Sequence, residues 1–272
     1  MAVVHVSDWN TFKSAIGVAG DTVIVGNDID ANGSYVSSAI TVSCADIQGG
    51  GHTIYNIYAN TNIFVGASNA RHVVQDLNFA NIDTSSASSG GAIFRGTGSN
   101  QYIDVYRCNI QGNLKIVTTG YTTFTSCAIV LGGGTVRSQF SSMSAAGPHF
   151  TNCYIDVGDY YQQSGNAFAT YTHFKNCYIT GSWKLTQGAY FLANSTPALS
   201  PNNVVNLHLS ADNPYTLTFF NQAGGSDISI YNLDRVGSNV TIAGGRNCLF
   251  GLSDEHMRDP AAIAATGFPI IT

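Results

Sequence analysis

Phe150-Thr151-Asn152-Cys153-Tyr154-Ile155 returns a little further on as Phe174-Lys175-Asn176-Cys177-Tyr178-Ile179. Upstream the same pattern reads Phe124-Thr125-Ser126-Cys127-Ala128-Ile129 and, before it, Val105-Tyr106-Arg107-Cys108-Asn109-Ile110. The four cysteines lie 19, 26 and 24 residues apart. A unit that returns every ~20–45 residues marks a solenoid, in which each repeat buries its apolar face only against its neighbours.

Each cysteine stands two positions before an isoleucine or its equivalent. On a strand the two share a face, so the thiols are expected inside, as small buried hydrophobes rather than disulfides. No C-x-x-C pair is present, which argues against a zinc site. Val74-x-x-Leu77-x-Phe79 and Val42-x-Cys44 read as looser copies of the same unit. Between residues 35 and 250 short alternating runs are broken by Gly, Asn and Ser, with no long helices, which excludes a doubly wound α/β sheet. Antiparallel pairing would need hairpin dipeptides, and Asn32-Gly33 is the only Asn-Gly. The return of like residues at like positions favours parallel stacking, each coil ~4.8 Å above the last. The expectation is ~8–10 coils and ~40–50 Å of stack, with Asn152 over Asn176 as a short amide ladder.

Composition agrees. Only 10% of the residues are charged, Glu255 is the sole glutamate, and glycine alone counts 29. Long-chain helix formers are scarce while β-branched and aromatic residues abound. The net charge of −5 and the absence of basic runs argue against nucleic acid. No apolar run approaches the ~18 residues of a membrane span. The N-terminal residues lack the pattern of a signal peptide, so the expectation is a protein that stays where it is made or leaves within a particle released by lysis.

The ends differ from the middle. Residues 2–6 alternate as a strand, Ser7 or Asp8 can cap a helix, and Phe12, Ala15 and Ile16 form one apolar stripe that Gly17 or Gly20 ends. A second strand follows over 21–29. This strand–helix–strand unit (1–34) is expected to close the open end of the solenoid (35–250). In the last segment (251–272) Asp259 suits an N-cap, Pro260 the first helical position and Gly267 the C-terminus. Beyond it lies a short apolar tail. Met257, Ile263, Phe268 and Ile270 are the assembly candidates, folding over the last coil or docking into a neighbouring subunit. The fold is therefore read as all-β: a single-stranded right-handed parallel β-helix with an N-terminal capping helix and a short C-terminal helix.

Candidate chemistry is thin. A glycosidase needs paired carboxylates ~5–10 Å apart. Asp28 with Asp30 and Asp156 with Asp159 are the available pairs, but both lie where strands meet turns. Gly51-His52-Thr53 lacks the second glycine of a Gly-His-Gly signature. A lyase needs an Arg or Lys base beside a carboxylate-held calcium, and Arg71, Arg95, Arg107 and Arg137 lie on separate stretches. Arg107 reads as an outward strand residue. His149 and His173 read as a surface ladder rather than a metal pair, and Gly132-Gly133-Gly134 is no phosphate loop. No catalytic residue, metal or cofactor is assigned. The better hint is aromatic: Tyr160, Tyr161, Trp183 and Tyr190 are the candidates for a glycan or a partner, against the plain reading that they cover the core under long loops.

The Phe-x-x-Cys-x-Ile coils, the helical N-terminal cap and the closing Met257-Arg258-Asp259-Pro260-Ala261 through Gly267-Phe268-Pro269-Ile270 together resemble parallel β-helix virion proteins of tailed bacteriophages and prophages. The resemblance implies a virion surface protein assembled in the host cytoplasm: a capsid decoration, tail appendage or tailspike-like subunit. It implies a trimer, other virion proteins as partners and, in some members, adhesion to host glycans. The alternatives are a β-helix carbohydrate-active enzyme, such as a lyase, hydrolase or tailspike depolymerase, and a bacterial surface adhesin.

Overall fold

The structure is a computed structural model that describes residues 2–67, 70–87, 91–96, 102–114, 116–119, 121–132, 148–161, 173–192, 203–220, 229–232, 236–243, 247–249 and 261. Every strand pairing in it is parallel, and the strands fall into sheets of eight, ten, four and three. After the first two strands, which both lie in the eight-stranded sheet, successive strands go to different sheets. Each sheet is therefore built by strands that recur once per coil, the arrangement of a parallel β-solenoid. Crossovers between parallel strands are right-handed in nearly all known cases, which sets the hand expected of the coil. The ten strands of the second sheet give a stack ~43 Å tall. Among the described residues no helix is long and apolar enough to cross a membrane.

The cap is built by β1 (Val3–Val6) and α1 (Trp9–Ile16), and the first coil by β2 (Thr22–Val25), β3 (Ile29–Val36) and β4 (Ile40–Val42). β1 and β2 open the first sheet, β3 ends the second and β4 the third. The capping helix lies where its signals placed it. Asp8 accepts from the Asn10 and Thr11 amides at 2.9 and 3.0 Å, and Gly17 is the C-cap. Trp9, Phe12, Ala15 and Ile16 turn inward over the open end of the core.

The recurring hexapeptide is the corner between the first and second sheets. Val74, Val105, Phe124, Phe150 and Phe174 form one inward column in register. The Phe124 and Phe150 rings stack at 5.0 Å, and those of Phe150 and Phe174 at 5.2 Å. Ile29, Ile54, Phe79, Ile110, Ile129, Ile155, Ile179 and Val205 form the matching column in the second sheet. Between the sheets the chain turns on one left-handed residue: Asp76, Arg107, Ser126, Asn152 and Asn176 all have φ near +50°. After glycine, asparagine and aspartate tolerate this conformation best. Asn176 donates to Asn152 at 3.2 Å, so the expected amide ladder forms.

The cysteine follows that turn, and its role is specific. Cys127, Cys153 and Cys177 each place the thiol 3.3 to 3.4 Å from the carbonyl two residues back and 3.5 Å from a carbonyl of an earlier coil. Cys108 makes the same local contact, to Tyr106 O at 3.2 Å. The sulfur thus fills a narrow corner, and its weak donor adds a second contact to backbone carbonyls that already accept the turn amide of the preceding coil. Cys44, Cys108, Cys127, Cys153 and Cys177 are buried free thiols. Burial pushes Cys108 up to about 12, while hydrogen bonding to Cys153 and then burial raise Cys127. In the next coil buried Asn203 stands at the cysteine position: it accepts from the Cys177 amide at 2.7 Å and donates to Phe174 O at 3.0 Å.

Two readings need correction. Val42-x-Cys44 is not a copy of the corner, because Ile47 of the same coil pairs with Val74 and holds the inward position. Cys44 instead joins the third sheet to the first, where its carbonyl meets His72 Nδ1 at 2.7 Å. Arg107 is the turn residue itself rather than a strand residue. The expected C-terminal helix, with Met257, Ile263, Phe268 and Ile270, lies outside the described residues, except that Ala261 is helical and exposed.

Candidate functional site on the outward face of the first sheet

Strand Arg71–Gln75 pairs with Tyr102–Tyr106, and that strand with Thr122–Thr125. Val74, Val105 and Phe124 point inward, so the flanking positions point out. This brings Arg71, Tyr102, Asp104, Tyr106 and Thr123 onto one face, although they span more than fifty residues of chain. Tyr102 lies beside Arg71, and its ring meets Tyr121 edge-on at 5.3 Å. Tyr102 is 37% exposed, one of few large hydrophobic side chains to be so.

Asp104 is the unusual member. It faces outward between Ile103 and Val105, yet is 1% exposed. Its carboxylate accepts from Arg71 Nε and from Thr123 Oγ1. A buried carboxylate requires such partners. Bonding and charge from Asp104, with a smaller contribution from Tyr106, raise the already high pKa of Arg71. Arg71 keeps 66% of its side chain exposed, so the pair offers an anchored guanidinium to the surface.

The polar pattern continues toward the N-terminal end. Asp46 accepts from Gln48 Nε2 at 2.7 Å and from Gln75 Nε2 at 3.0 and 3.1 Å. Gln75 Oε1 accepts from Arg107 Nη2 at 3.2 Å, and Arg107 forks onto Asp76 with two bonds of 2.7 Å. That fork, opposed by a little desolvation, holds the Asp76 carboxyl below its ordinary value. The result is a face of fixed donors and acceptors beside an aromatic pair. Such a face suits ring-stacking and multiple hydrogen bonds to a sugar. Asp46 and Asp104 occupy one column, two rungs and ~10 Å apart, but both are already hydrogen-bonded to side chains. Among the described residues no group of three or more His, Cys, Asp or Glu is placed to hold a metal.

The residues singled out from sequence lie elsewhere. Trp183 is 1% exposed and belongs to the core, so it cannot stack on a sugar. Its strand, Tyr178–Leu185, buries Ile179, Trp183 and Leu185, which share one phase of the strand. Tyr160 and Tyr161 lie on the neighbouring strand, in register with Trp183 and Lys184. Tyr190 lies on Ala189–Leu192, opposite Thr218. The placement of those three tyrosine side chains is outside the description. Asp28 and Asp30 serve their turns: Asp28 accepts from the Thr53 amide at 2.9 Å, and Asp30 from Asn32 N at 2.7 Å and Asn56 Nδ2 at 2.9 Å. Asp156 accepts from the Gly158 amide at 2.9 Å. His149 and His173 pair in register. The Arg71–Tyr102–Asp104 cluster was missed, but a signal existed: Arg71 and Tyr102 each stand three residues before the inward valine of their coil.

No known protein family matches the chain, and neither a curated protein nor a solved structure matches it.

Proposed function

We propose that this chain is a non-enzymatic structural protein of a virion surface, a capsid decoration or tail appendage, that holds host glycan on the outward face of its first sheet. The observation that carries the reading is exposed Tyr102, edge-on to half-buried Tyr121, beside an Arg71 anchored by buried Asp104. An aromatic edge supplies the apolar contact for a sugar ring, and a guanidinium fixed by its carboxylate binds hydroxyls with little ordering cost. Because Asp104 neutralises Arg71, the face favours neutral sugars over acidic ones. The virion setting and a trimeric state rest on the resemblance of the Phe-x-x-Cys-x-Ile coils and the capping helix. A stiff solenoid with few charged side chains suits a particle exposed to varied conditions.

The test is binding of the purified protein to an array of neutral and acidic bacterial surface oligosaccharides, followed by calorimetry on the best ligand. Wild type is expected to bind a neutral glycan; Tyr102→Ala is expected to weaken it about tenfold or more, ~1.4 kcal/mol, with an unchanged unfolding midpoint, and Arg71→Ala to weaken it as much while also lowering the midpoint, because buried Asp104 loses its partner. Equal binding by both variants, or no retained glycan, refutes the site. Steady release of new reducing ends, abolished in Asp104→Asn, replaces the structural reading with the carbohydrate-active enzyme.

A further inference from the structure

We propose that Asn32 is a self-modifying site. With water as the only co-reactant, the Asn32-Gly33 pair converts slowly to isoaspartate and aspartate, while the other left-handed asparagines of the solenoid stay intact. The proposal is independent of the glycan reading. Asn32, Asn56, Asn81, Asn152 and Asn176 share one backbone conformation, with φ between 50° and 62°. The last four are tied into ladders. Asn56 donates to Asp30 at 2.9 Å and accepts from Asn81. Asn176 donates to Asn152 at 3.2 Å. Among the described residues the Asn32 side-chain amide has no such partner, although its backbone N–H donates to Asp30 at 2.7 Å.

The residue that follows decides the chemistry. Ring closure joins the next backbone nitrogen to the side-chain carbonyl carbon, so a following side chain stands in its way. Ile57, Ile82, Cys153 and Cys177 follow the four tied asparagines, and all are buried. Gly33 follows Asn32 and is exposed, with φ of 66°. Glycine offers no Cβ and turns readily. The strand leaves room for that turning. Its register passes from Asp30 opposite Tyr55 to Ser34 opposite Ile57, so Ala31, Asn32 and Gly33 together face the single residue Asn56.

In the reaction Gly33 N attacks Asn32 Cγ. The N–Cγ bond forms, the Cγ–Nδ2 bond breaks, and the Gly33 amide proton departs with Nδ2 as ammonia, which closes a cyclic imide. Water then opens either carbonyl of that ring. One opening leaves aspartate at position 32. The other carries the chain through Cγ as isoaspartate, one methylene longer. Either product makes the net charge one unit more negative than −5 and sets a new carboxylate near that of Asp30. The change falls on an outward stretch where Tyr35 and Tyr58, in register on adjacent rungs, are 59% and 39% exposed.

The experiment incubates the full-length protein in mildly alkaline buffer made with heavy-oxygen water. Ion exchange follows the growth of a more acidic form. Mass spectrometry maps each asparagine, with electron-transfer fragmentation to tell isoaspartate from aspartate. Conversion at Asn32 is expected at least about tenfold faster than at Asn56, Asn81, Asn152 or Asn176, because a hydrogen-bonded amide and a following side chain both raise the barrier. Gly33→Ala places a Cβ 3.8 Å from Tyr58 Cε2, an ordinary contact, and is expected to slow Asn32 at least about tenfold. Asn32→Gln is expected to abolish the acidic form. Conversion at Asn32 no faster than at Asn56 overturns the proposal, as does an acidic form that persists undiminished in Asn32→Gln. Conversion seen only in the urea-unfolded chain also overturns it, because the turn then holds the side chain away from Gly33.

Discussion

Replacing Phe150 by alanine removes the middle ring of the interior stack. The ring is 1% exposed and lies 5.0 Å from Phe124 at 7° and 5.2 Å from Phe174 at 16°. Emptying a buried phenylalanine site costs ~3–5 kcal/mol, because the lost atoms forfeit their burial and the walls close only partly. Each stacked pair adds ~0.5–1.5 kcal/mol beyond area. The two effects overlap, so the expected total is ~4–6 kcal/mol. Phe150→Leu refills most of the volume and isolates the stacking, at ~1–3 kcal/mol. Val105→Ala lies in the same column without stacked rings, and ~1.5–3 kcal/mol is expected. In a solenoid each rung leans on its neighbours, so protection should fall first in His149–Thr151 and His173–Lys175 and last at α1. Urea unfolding gives the magnitude, and hydrogen exchange with mass spectrometry gives the location. A loss under ~2 kcal/mol, or one no larger than that of Val105→Ala, refutes the reasoning.

Ser126 has φ of 55°, a region that costs most residues ~1–2 kcal/mol but suits asparagine. Ser126→Asn also extends the amide ladder of Asn152 and Asn176, so thermal denaturation should show a gain of ~0.5–1 kcal/mol. A Cβ at Gly112 would meet Ile82 O at 2.2 Å, and no side-chain rotation relieves a backbone collision. Gly112→Ala should therefore destabilise at or above the top of the ~1–3 kcal/mol range for overpacking in chemical denaturation. Burial raises Cys44 and Cys108 from 9.0 to about 12 in the folded chain. The stability this holds is full below pH 9 and falls between pH 9 and 12, where only the unfolded chain has lost the protons. Unfolding free energy should drop ~2–3 kcal/mol from pH 8 to pH 10 on their account, and the Cys44→Ala/Cys108→Ala variant should show a total drop smaller by that amount, since Cys127 and Cys153 are raised as well.

The parts of the fold legible in the sequence are those set by short-range signals. Asp8, the stripe of Phe12, Ala15 and Ile16, and Gly17 specify α1 within one turn of chain, and the helix occupies those residues. The corner hexapeptide was legible because one geometry recurs and constrains every position: an inward large residue, a left-handed turn, a small thiol, an inward branched residue. Errors arose where the phase of the coil mattered. Val42-x-Cys44 has the right residue types but falls at another corner, which only the pairing of Ile47 with Val74 reveals. Trp183 was read as a loop aromatic, although it shares the strand phase of buried Ile179 and Leu185. The outward cluster depends on register between coils of unequal length. Arg71 and Asp104 are 33 residues apart, a spacing that no local pattern marks.

The central claim is that equivalent residues pile vertically, one coil per rung, and distance per rung tests it most directly. His5, Ile24, Gln48, Gln75, Tyr106, Thr125, Thr151 and Lys175 form one outward column. Spin labels on His5→Cys paired in turn with Gln48→Cys, Thr125→Cys and Lys175→Cys report two, five and seven rungs by pulsed electron resonance, with the unmodified chain as the control for its own thiols. The expected label separations rise by ~4.8 Å per rung, to ~34 Å for His5 with Lys175. Separations that fail to grow with rung number, or a His5–Lys175 distance below that of His5 with Thr125, contradict the stacked solenoid.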